Sequence, residues 1–76
     1  MYHTIEVTGG VMKYSPEDHE LISGLTIHIT KDGYCRASGK GWVHRLIMKA
    51  TVNDLVDHIN NERNDNRREN LRFFSD

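Results

Sequence analysis

The sequence has few of the residues that would hold so short a chain together. Its 76 residues include one proline and a single cysteine, Cys35, so no disulfide can form within it. A domain of this size buries only about 60% of the surface that its unfolded chain exposes. A bound metal or self-association are the remaining ways to stabilise it, and a lone thiol is typical of a reducing cytoplasm.

Long apolar runs and an excess of basic charge are also missing. No stretch approaches the ~18 consecutive apolar residues of a membrane-spanning helix, and no charged-then-apolar leader opens the sequence. Residues 1–39 carry three basic and five acidic side chains, and residues 40–76 carry seven and six. Proteins that bind DNA strongly are usually more basic, because neutralising phosphates provides most non-specific affinity. We therefore expect a soluble, cytoplasmic protein that does not contact membranes and does not bind DNA strongly by itself.

Short alternating segments separated by turns predict an α+β fold with small antiparallel sheets, formed as one domain over residues 1–76. "YHTIEVT" and "LTIHIT" alternate polar and apolar residues as half-buried strands do. Asp32-Gly33 is a strong hairpin signal, and "YCRAS" is predicted as the returning strand.

Two further segments have weaker patterns. "SPEDHELISG" predicts a short helix, with Ser15 as its cap and Pro16 at its first position. "WVHRLIMKA" is mostly apolar and predicts a strand or the start of a helix, with Trp42 in the core.

The stretch "LVDHINNERNDNRRENLRFFSD", residues 55–76, concentrates the side chains that phosphodiester chemistry requires. Such hydrolysis needs a base to activate water and a cation to stabilise the leaving oxygen. A neutral imidazole suits the first task and a carboxylate holding Mg²⁺ suits the second. Asp57 and His58 are adjacent, and neighbours on an extended segment face opposite ways, so each can serve one of these tasks.

The polar run after this pair admits two interpretations. Its asparagines favour a tight loop that fixes the angle of His58. Three arginines beside it, Arg67, Arg68 and Arg72, are candidate phosphate ligands and therefore candidate DNA-binding residues. The alternative is a solvated face, in which these arginines pair with Glu62, Asp65 and Glu69.

The ordered segments "VHRLIMKA", "VDHIN" and "DNRRENLR" resemble the small HNH endonucleases of phages and mobile introns, which have a ββα-metal core. The resemblance is tight over residues 43–72. It is looser over the preceding segment, which is similar to the AP2-like β-sheet of many of these enzymes. It implies a β-rich lead-in at residues 1–41 and an HNH core at residues 42–76.

The resemblance implies a role for each matching residue and a metal-dependent cleavage of DNA with Mg²⁺ or Mn²⁺. His58 would be the general base, Asp57 a metal ligand, and Asn70 the asparagine that ties down the loop. Asn66 would brace that loop, while His44 and Arg45, on a strand, would lie near the scissile phosphate. His44 is open to a second interpretation, as a strand histidine bonded to backbone.

In the family's motif a helix after the second strand supplies one more metal ligand, and its position falls beyond Asp76. The resemblance therefore predicts a metal site that residues 1–76 leave incomplete. Either further sequence or another chain completes it, or the protein has kept the scaffold without catalysis.

Without that helix, Phe73 and Phe74 are predicted to lie on an open apolar surface that a partner covers. The non-catalytic alternative is a phage protein that binds and inhibits a host protein or nucleoprotein. A homodimer through the same edge is a further possibility.

Overall fold

The structure is a computed structural model and describes residues 1–74. It confirms the small α+β fold, with three small sheets and short helices. In chain order the elements are β1 (His3–Val7), β2 (Gly10–Tyr14), a 3-10 turn (Pro16–Asp18), α1 (His19–Ser23), β3 (Ile27–Ile29), β4 (Cys35–Ala37), β5 (Gly41–Trp42), α2 (Val43–Met48), β6 (Leu55–His58), β7 (Asp65–Asn66), a second 3-10 turn (Arg68–Asn70) and β8 (Leu71–Phe74). None of the helices within residues 1–74 is long and apolar enough to cross a membrane.

The first sheet has the order β1-β2-β7. β1 and β2 form an antiparallel hairpin that turns at Gly9, whose φ of 97° is unfavourable for any residue with a side chain. β7 then pairs in parallel with β2, bringing Asp65 opposite Lys13 and Asn66 opposite Tyr14. The sequence patterns predicted β1 but not β2, and so gave no sign that the Asn-rich segment joins this sheet.

The second sheet is the antiparallel meander β3-β4-β5, and it confirms the predicted hairpin around Asp32-Gly33. Ile27 is buried, while Leu25 and Ile29 pack partly against the core, as the alternation predicts. Cys35 is buried on β4, where burial raises the pKa of its thiol to about 11. A thiol that stays protonated at neutral pH is a packing residue here.

α2 confirms the helix alternative for "WVHRLIMKA", so His44 and Arg45 do not lie on the strand that the HNH resemblance implied. Val43 and Ile47 are buried one helical turn apart, so a helix directs both into the core at once. Lys49 ends the helix with a left-handed backbone, φ 53°. Trp42 precedes the helix and is only partly buried, so its prediction as a core residue is wrong.

α1 confirms the predicted short helix but not its cap. Ser15 makes no side-chain hydrogen bond to the helix. Its hydroxyl instead accepts a 2.9 Å hydrogen bond from the backbone N–H of Arg68, across the molecule. The Ser15 hydroxyl, which the local sequence predicts as a helix cap, is therefore used in a tertiary contact with Arg68.

The third sheet is the antiparallel pair β6–β8, in which Asp57 lies opposite Arg72 and His58 opposite Leu71. α2 packs against this pair and against the other two sheets, so the core lies between all three. Its buried members are Met12, Tyr14, Ile22, Ile27, Cys35, Ala37, Val43, Ile47 and Leu71. His58 is at the inner end of β6, next to this core.

Candidate functional site

His58 ends β6 and is held by Asn66. Its side chain is buried, with 4% of its surface exposed, and its Nε2 lies 2.7 Å from Oδ1 of Asn66, which is fully buried. With that oxygen as acceptor, Nε2 carries the ring proton and Nδ1 keeps the free lone pair. The arrangement fixes the ring and leaves one basic nitrogen to act as an acceptor.

Asp57 is the neighbour of His58 on β6, and it is less buried, as expected for adjacent residues on a strand. Its Oδ2 accepts a 3.0 Å hydrogen bond from Nη2 of Arg72, directly across the β6–β8 pair. Both side chains are well exposed, at 37% and 56%, so the ion pair is weak. It is a contact that a competing cation can break.

His44 on α2 lies beside His58, with 5.0 Å between the two ring centroids. Burial, the nearby His58 and Arg45 together lower the pKa of His44 to about 4. The imidazole is therefore neutral at neutral pH and adds no charge beside His58.

Tyr34 completes the cluster of rings. Its ring centroid is 5.6 Å from that of His44 and 6.2 Å from that of His58. The guanidinium of Arg63 lies over the Tyr34 ring, 4.5 Å from its centroid. A small pocket of about 170 Å³ opens here, lined by Tyr34, Asp57, His58, Asn61 and Arg63. The acceptor histidine, a carboxylate and an exposed cation thus share one concave surface.

The loop after His58 is shaped by asparagine side chains, as the sequence predicts. Asn70 Oδ1 accepts from the backbone N–H of Asn60 at 3.0 Å, and its Nδ2 donates to Asn60 Oδ1 at 2.9 Å and to the carbonyl of Asp65 at 2.9 Å. Asn61 adopts a left-handed backbone, φ 64°, which asparagine tolerates better than most residues. These bonds fix the conformation of the loop that connects β6 to β7.

The predicted DNA-binding arginines are engaged in ion pairs. Arg67 donates two hydrogen bonds of 2.7 Å to the carboxylate of the buried Asp65, and it also forms an ion pair with Glu69. Arg68 binds Asp18 in the same forked manner, with its closest bond at 2.7 Å. The sequence also allowed these arginines to pair with neighbouring acidic residues on a solvated face. Of those pairs, Arg67–Asp65 and Arg67–Glu69 are present. These contacts give Arg67 and Arg68 a structural role and hold their charges away from the pocket.

Arg45 faces the same region but is partly committed to the loop that follows α2. Its guanidinium donates to the backbone carbonyls of Asp54 at 2.7 Å and Thr51 at 2.6 Å. The Asp54 carboxyl is also near: hydrogen bonds from Thr51, together with the positive charge of Arg45, hold its pKa below the usual value. Arg45 therefore closes the loop with part of its charge balanced by Asp54. It also lines a second pocket with Tyr34, Trp42 and His44.

The implied Mg²⁺ or Mn²⁺ site can be tested against the residues present. Asp57 is the carboxylate that lines the pocket beside His58. Mg²⁺ is commonly held by one or two carboxylates together with waters and substrate phosphates, so one carboxylate fits an ion shared with a substrate. Within residues 1–74 no group of three or more His, Cys, Asp or Glu side chains gathers to hold a metal. Within the described residues, Asp57 is the carboxylate of this pocket that would hold such an ion.

Phe73 and Phe74 lie on β8, where they are 50% and 44% exposed. Phe74 is paired across the strands with Leu55, which is 39% exposed, so an apolar patch forms at this end of the β6–β8 pair. A larger concave surface of about 480 Å³, lined by Ile5, Glu6, Val7, Thr8, Leu25 and Ile27, lies elsewhere and has few groups for chemistry.

Sequence reasoning missed Tyr34, Asn61 and Arg63. Tyr34 reaches the histidines from the β3–β4 hairpin, and no local pattern indicates that this hairpin faces β6. Arg63 belongs to the same polar run as the predicted DNA-binding arginines. Its position in the loop that follows Asp57-His58 is the sequence signal that identifies it.

No protein family, no curated protein and no solved structure matches this chain. The resemblance to HNH endonucleases therefore depends on the quoted residues themselves, and the function has to be argued from the site.

Proposed function

We propose that this protein is an HNH-type endonuclease that hydrolyses DNA phosphodiester bonds. The observation that carries the proposal is the His58–Asn66 contact of 2.7 Å beside a pocket that also presents Asp57 and Arg63. A phosphodiesterase needs an oriented base, a cation and a ligand for a metal on one concave surface. These residues supply all three types of group.

His58 is the general base in this mechanism. Because Nε2 donates to Asn66, Nδ1 is the atom that accepts the proton of the attacking water. His44 is neutral at neutral pH, so it places no second positive charge beside the candidate base.

Asp57 would hold Mg²⁺ or Mn²⁺, which supplies Lewis-acid stabilisation of the leaving oxygen when bound. Arg63 is the cation that receives the scissile phosphate, since its guanidinium is fixed over Tyr34 at the rim of the pocket. Asn70 and Asn60 maintain the loop that keeps Arg63 and His58 on the same surface.

The test is nicking of supercoiled plasmid with Mg²⁺ or Mn²⁺ present. We expect the wild type to nick and both His58→Gln and Asp57→Asn to lose that activity. His28→Gln, on β3 away from the pocket, is the matched control and should retain it. Circular dichroism of each variant separates lost chemistry from lost folding. Absence of nicking by the folded wild type with both ions would reject this function.

The open aromatic patch supports a second candidate, a non-catalytic protein that binds and inhibits a host protein or nucleoprotein. Phe74 and Leu55 form that patch on one face of the β6–β8 pair, and Phe73 is exposed on the opposite face. A chain with a net charge of −1 also has little general affinity for phosphates. Either activity would take place in the cytoplasm, of a host cell if a phage encodes the protein.

Pull-down from host lysate with the wild type and with Phe74→Asp tests this second candidate, because Phe74 lies beside Leu55 in the patch. A partner that binds only the wild type, and whose activity falls when the protein is added, supports inhibition. Sedimentation of the pure protein separates this outcome from a homodimer through the same patch. A monomer that retains no partner would exclude both uses of the patch.

A further inference from the structure

Two neighbouring aromatic rings, with a guanidinium group over each, form a row beside the two histidines. Arg36 lies over the Trp42 ring at 5.0 Å, Trp42 meets Tyr34 edge-on at 5.7 Å, and Arg63 covers Tyr34 at 4.5 Å. We call Arg36, Trp42, Tyr34 and Arg63 the stacked row. Both arginines are exposed and both rings are partly exposed, so a ligand reaches a ring face by displacing the guanidinium that lies over it.

A pocket of about 300 Å³ opens against this row, lined by Tyr34, Trp42, His44 and Arg45. Tyr34 also lines the smaller pocket that contains His58, so it forms a wall common to both. The two pockets are therefore neighbours, and a ligand that reaches one is in position to extend into the other.

The chemistry of the larger pocket matches a nucleobase. A base that takes the place of the exposed Arg36 over Trp42 gains an aromatic face that accepts any base, and the displaced guanidinium is then free to bind a flanking phosphate. His44 is neutral at neutral pH and so offers one donor and one acceptor nitrogen to a base edge. Arg45 adds a positive charge to the floor of the pocket.

We infer that the pocket between Tyr34 and Trp42 binds an unstacked nucleobase of the strand whose phosphate lies at His58, an inference that rests on the proposed nuclease function. The substrate is then single-stranded or locally opened DNA. A base inside an intact duplex is stacked on its neighbours and paired, so it cannot enter a pocket of this kind.

The overall charge of the protein favours the same substrate. A duplex-binding protein obtains most of its non-specific affinity from neutralising phosphates, and this chain has a net charge of −1. Stacking does not require a large positive charge, so a few arginines beside two aromatic rings suffice to retain a single strand.

Trp42 is the one tryptophan of the sequence, so its fluorescence reports directly on this pocket. The experiment titrates the protein, without divalent metal, with three ligands: a short oligothymidine strand, an abasic strand of the same length, and a blunt duplex. We expect oligothymidine to bind most tightly and to quench Trp42, while the abasic strand and the duplex bind weakly and leave its fluorescence unchanged.

Two variants extend the test. Trp42→Leu and Tyr34→Leu should each weaken oligothymidine binding, followed by fluorescence anisotropy, by roughly 5- to 150-fold, as expected for the loss of one stacked base. Neither should change the affinity for the abasic strand, and Trp42→Phe should restore most of the loss. Thermal melting confirms that each variant is folded, and Tyr34→Leu retains the fluorescent reporter.

Unchanged Trp42 fluorescence on binding oligothymidine, or equal affinity for duplex and single strand, would overturn the inference. Because these titrations contain no divalent metal, they are independent of cleavage. If oligothymidine quenches Trp42 but the protein does not nick DNA, the nuclease function is rejected and the base-binding pocket is supported. If the protein nicks intact duplex and oligothymidine does not quench Trp42, the base-binding pocket is rejected and the nuclease function is supported.

Discussion

The Nε2 atom of His58 and the Oδ1 atom of Asn66 lie 2.7 Å apart, although the two residues belong to different sheets. His58 is on β6, and Asn66 is on β7, which pairs with β2. The bond therefore connects the candidate base to the first sheet. It also decides which ring nitrogen is available for chemistry.

Replacing Asn66 with alanine tests this relationship. The change leaves a buried N–H of His58 without its acceptor, so we expect the free energy of unfolding to fall by about 1–3 kcal/mol. Nicking should fall as well, because the ring loses its fixed orientation. Urea denaturation and the plasmid assay measure the two effects, and Asn53→Ala, at an exposed loop position, is the control. Equal stability of Asn66→Ala and the wild type would contradict the assigned role.

The lowered pKa of His44 predicts a dependence of stability on pH. In the unfolded chain the pKa of histidine is about 6.5, whereas in the folded protein that of His44 is about 4. The unfolded state therefore binds more protons between these values, and stability is lost as the pH falls through this window. We expect His44 to account for a loss on the order of 2 kcal/mol between pH 7 and pH 4.

The comparison of wild type with His44→Gln isolates this contribution, since carboxylates that titrate in the same range are common to both proteins. Urea unfolding at a series of pH values gives the difference directly. The wild type should lose more stability than His44→Gln over this range. Parallel curves would show that His44 titrates normally.

Arg72 is predicted to compete with metal ions for Asp57. The two side chains share a 3.0 Å bond across the β6–β8 pair, and both are exposed enough for the pair to be worth less than about 1 kcal/mol. Arg72→Gln should therefore strengthen Mn²⁺ binding by about two- to fivefold, as measured by calorimetry. Lys40→Gln, in the exposed β4–β5 turn, is the matched loss of charge. Binding of Mn²⁺ that survives Asp57→Ala would place the ion elsewhere.

The arginines of the Asn-rich segment are expected to divide into two groups. Arg63 lies at the rim of the pocket, whereas Arg67 is locked onto the buried Asp65. Arg63→Gln should lower the slope of log affinity for single-stranded DNA against log salt by about 0.7, the value for one phosphate contact. Arg67→Gln should leave this slope unchanged.

Arg67→Gln should act on stability instead. The hydrogen bonds from Arg67 lower the pKa of Asp65, and their loss leaves that carboxylate buried with fewer donors. We expect a cost of about 1–3 kcal/mol at neutral pH, diminishing as the pH falls through the folded-state pKa of Asp65 and the carboxylate takes up a proton. A salt slope altered by Arg67→Gln and not by Arg63→Gln would reverse this assignment.

Several features of this protein follow from the sequence alone. Alternation of polar and apolar residues is a local property, and it correctly predicts β1, β3 and β4, together with the turn at Asp32-Gly33. The start of the loop after His58 is similarly local, because the Asn60 side chain accepts a hydrogen bond from the backbone N–H of Glu62, two residues further on. The exposure of Phe73 and Phe74 was also anticipated.

Only the tertiary structure decided how the candidate site is assembled, because its residues are distant in sequence and become neighbours on folding. The parallel pairing of β7 with β2 brings Asn66 to His58, and the β3–β4 hairpin brings Tyr34 to both histidines. Arg68 pairs with Asp18, fifty residues away in sequence, a contact that no local pattern predicts. The sequence determines which side chains carry charge. Folding determines which of these charges form ion pairs within the protein and which remain available to a ligand.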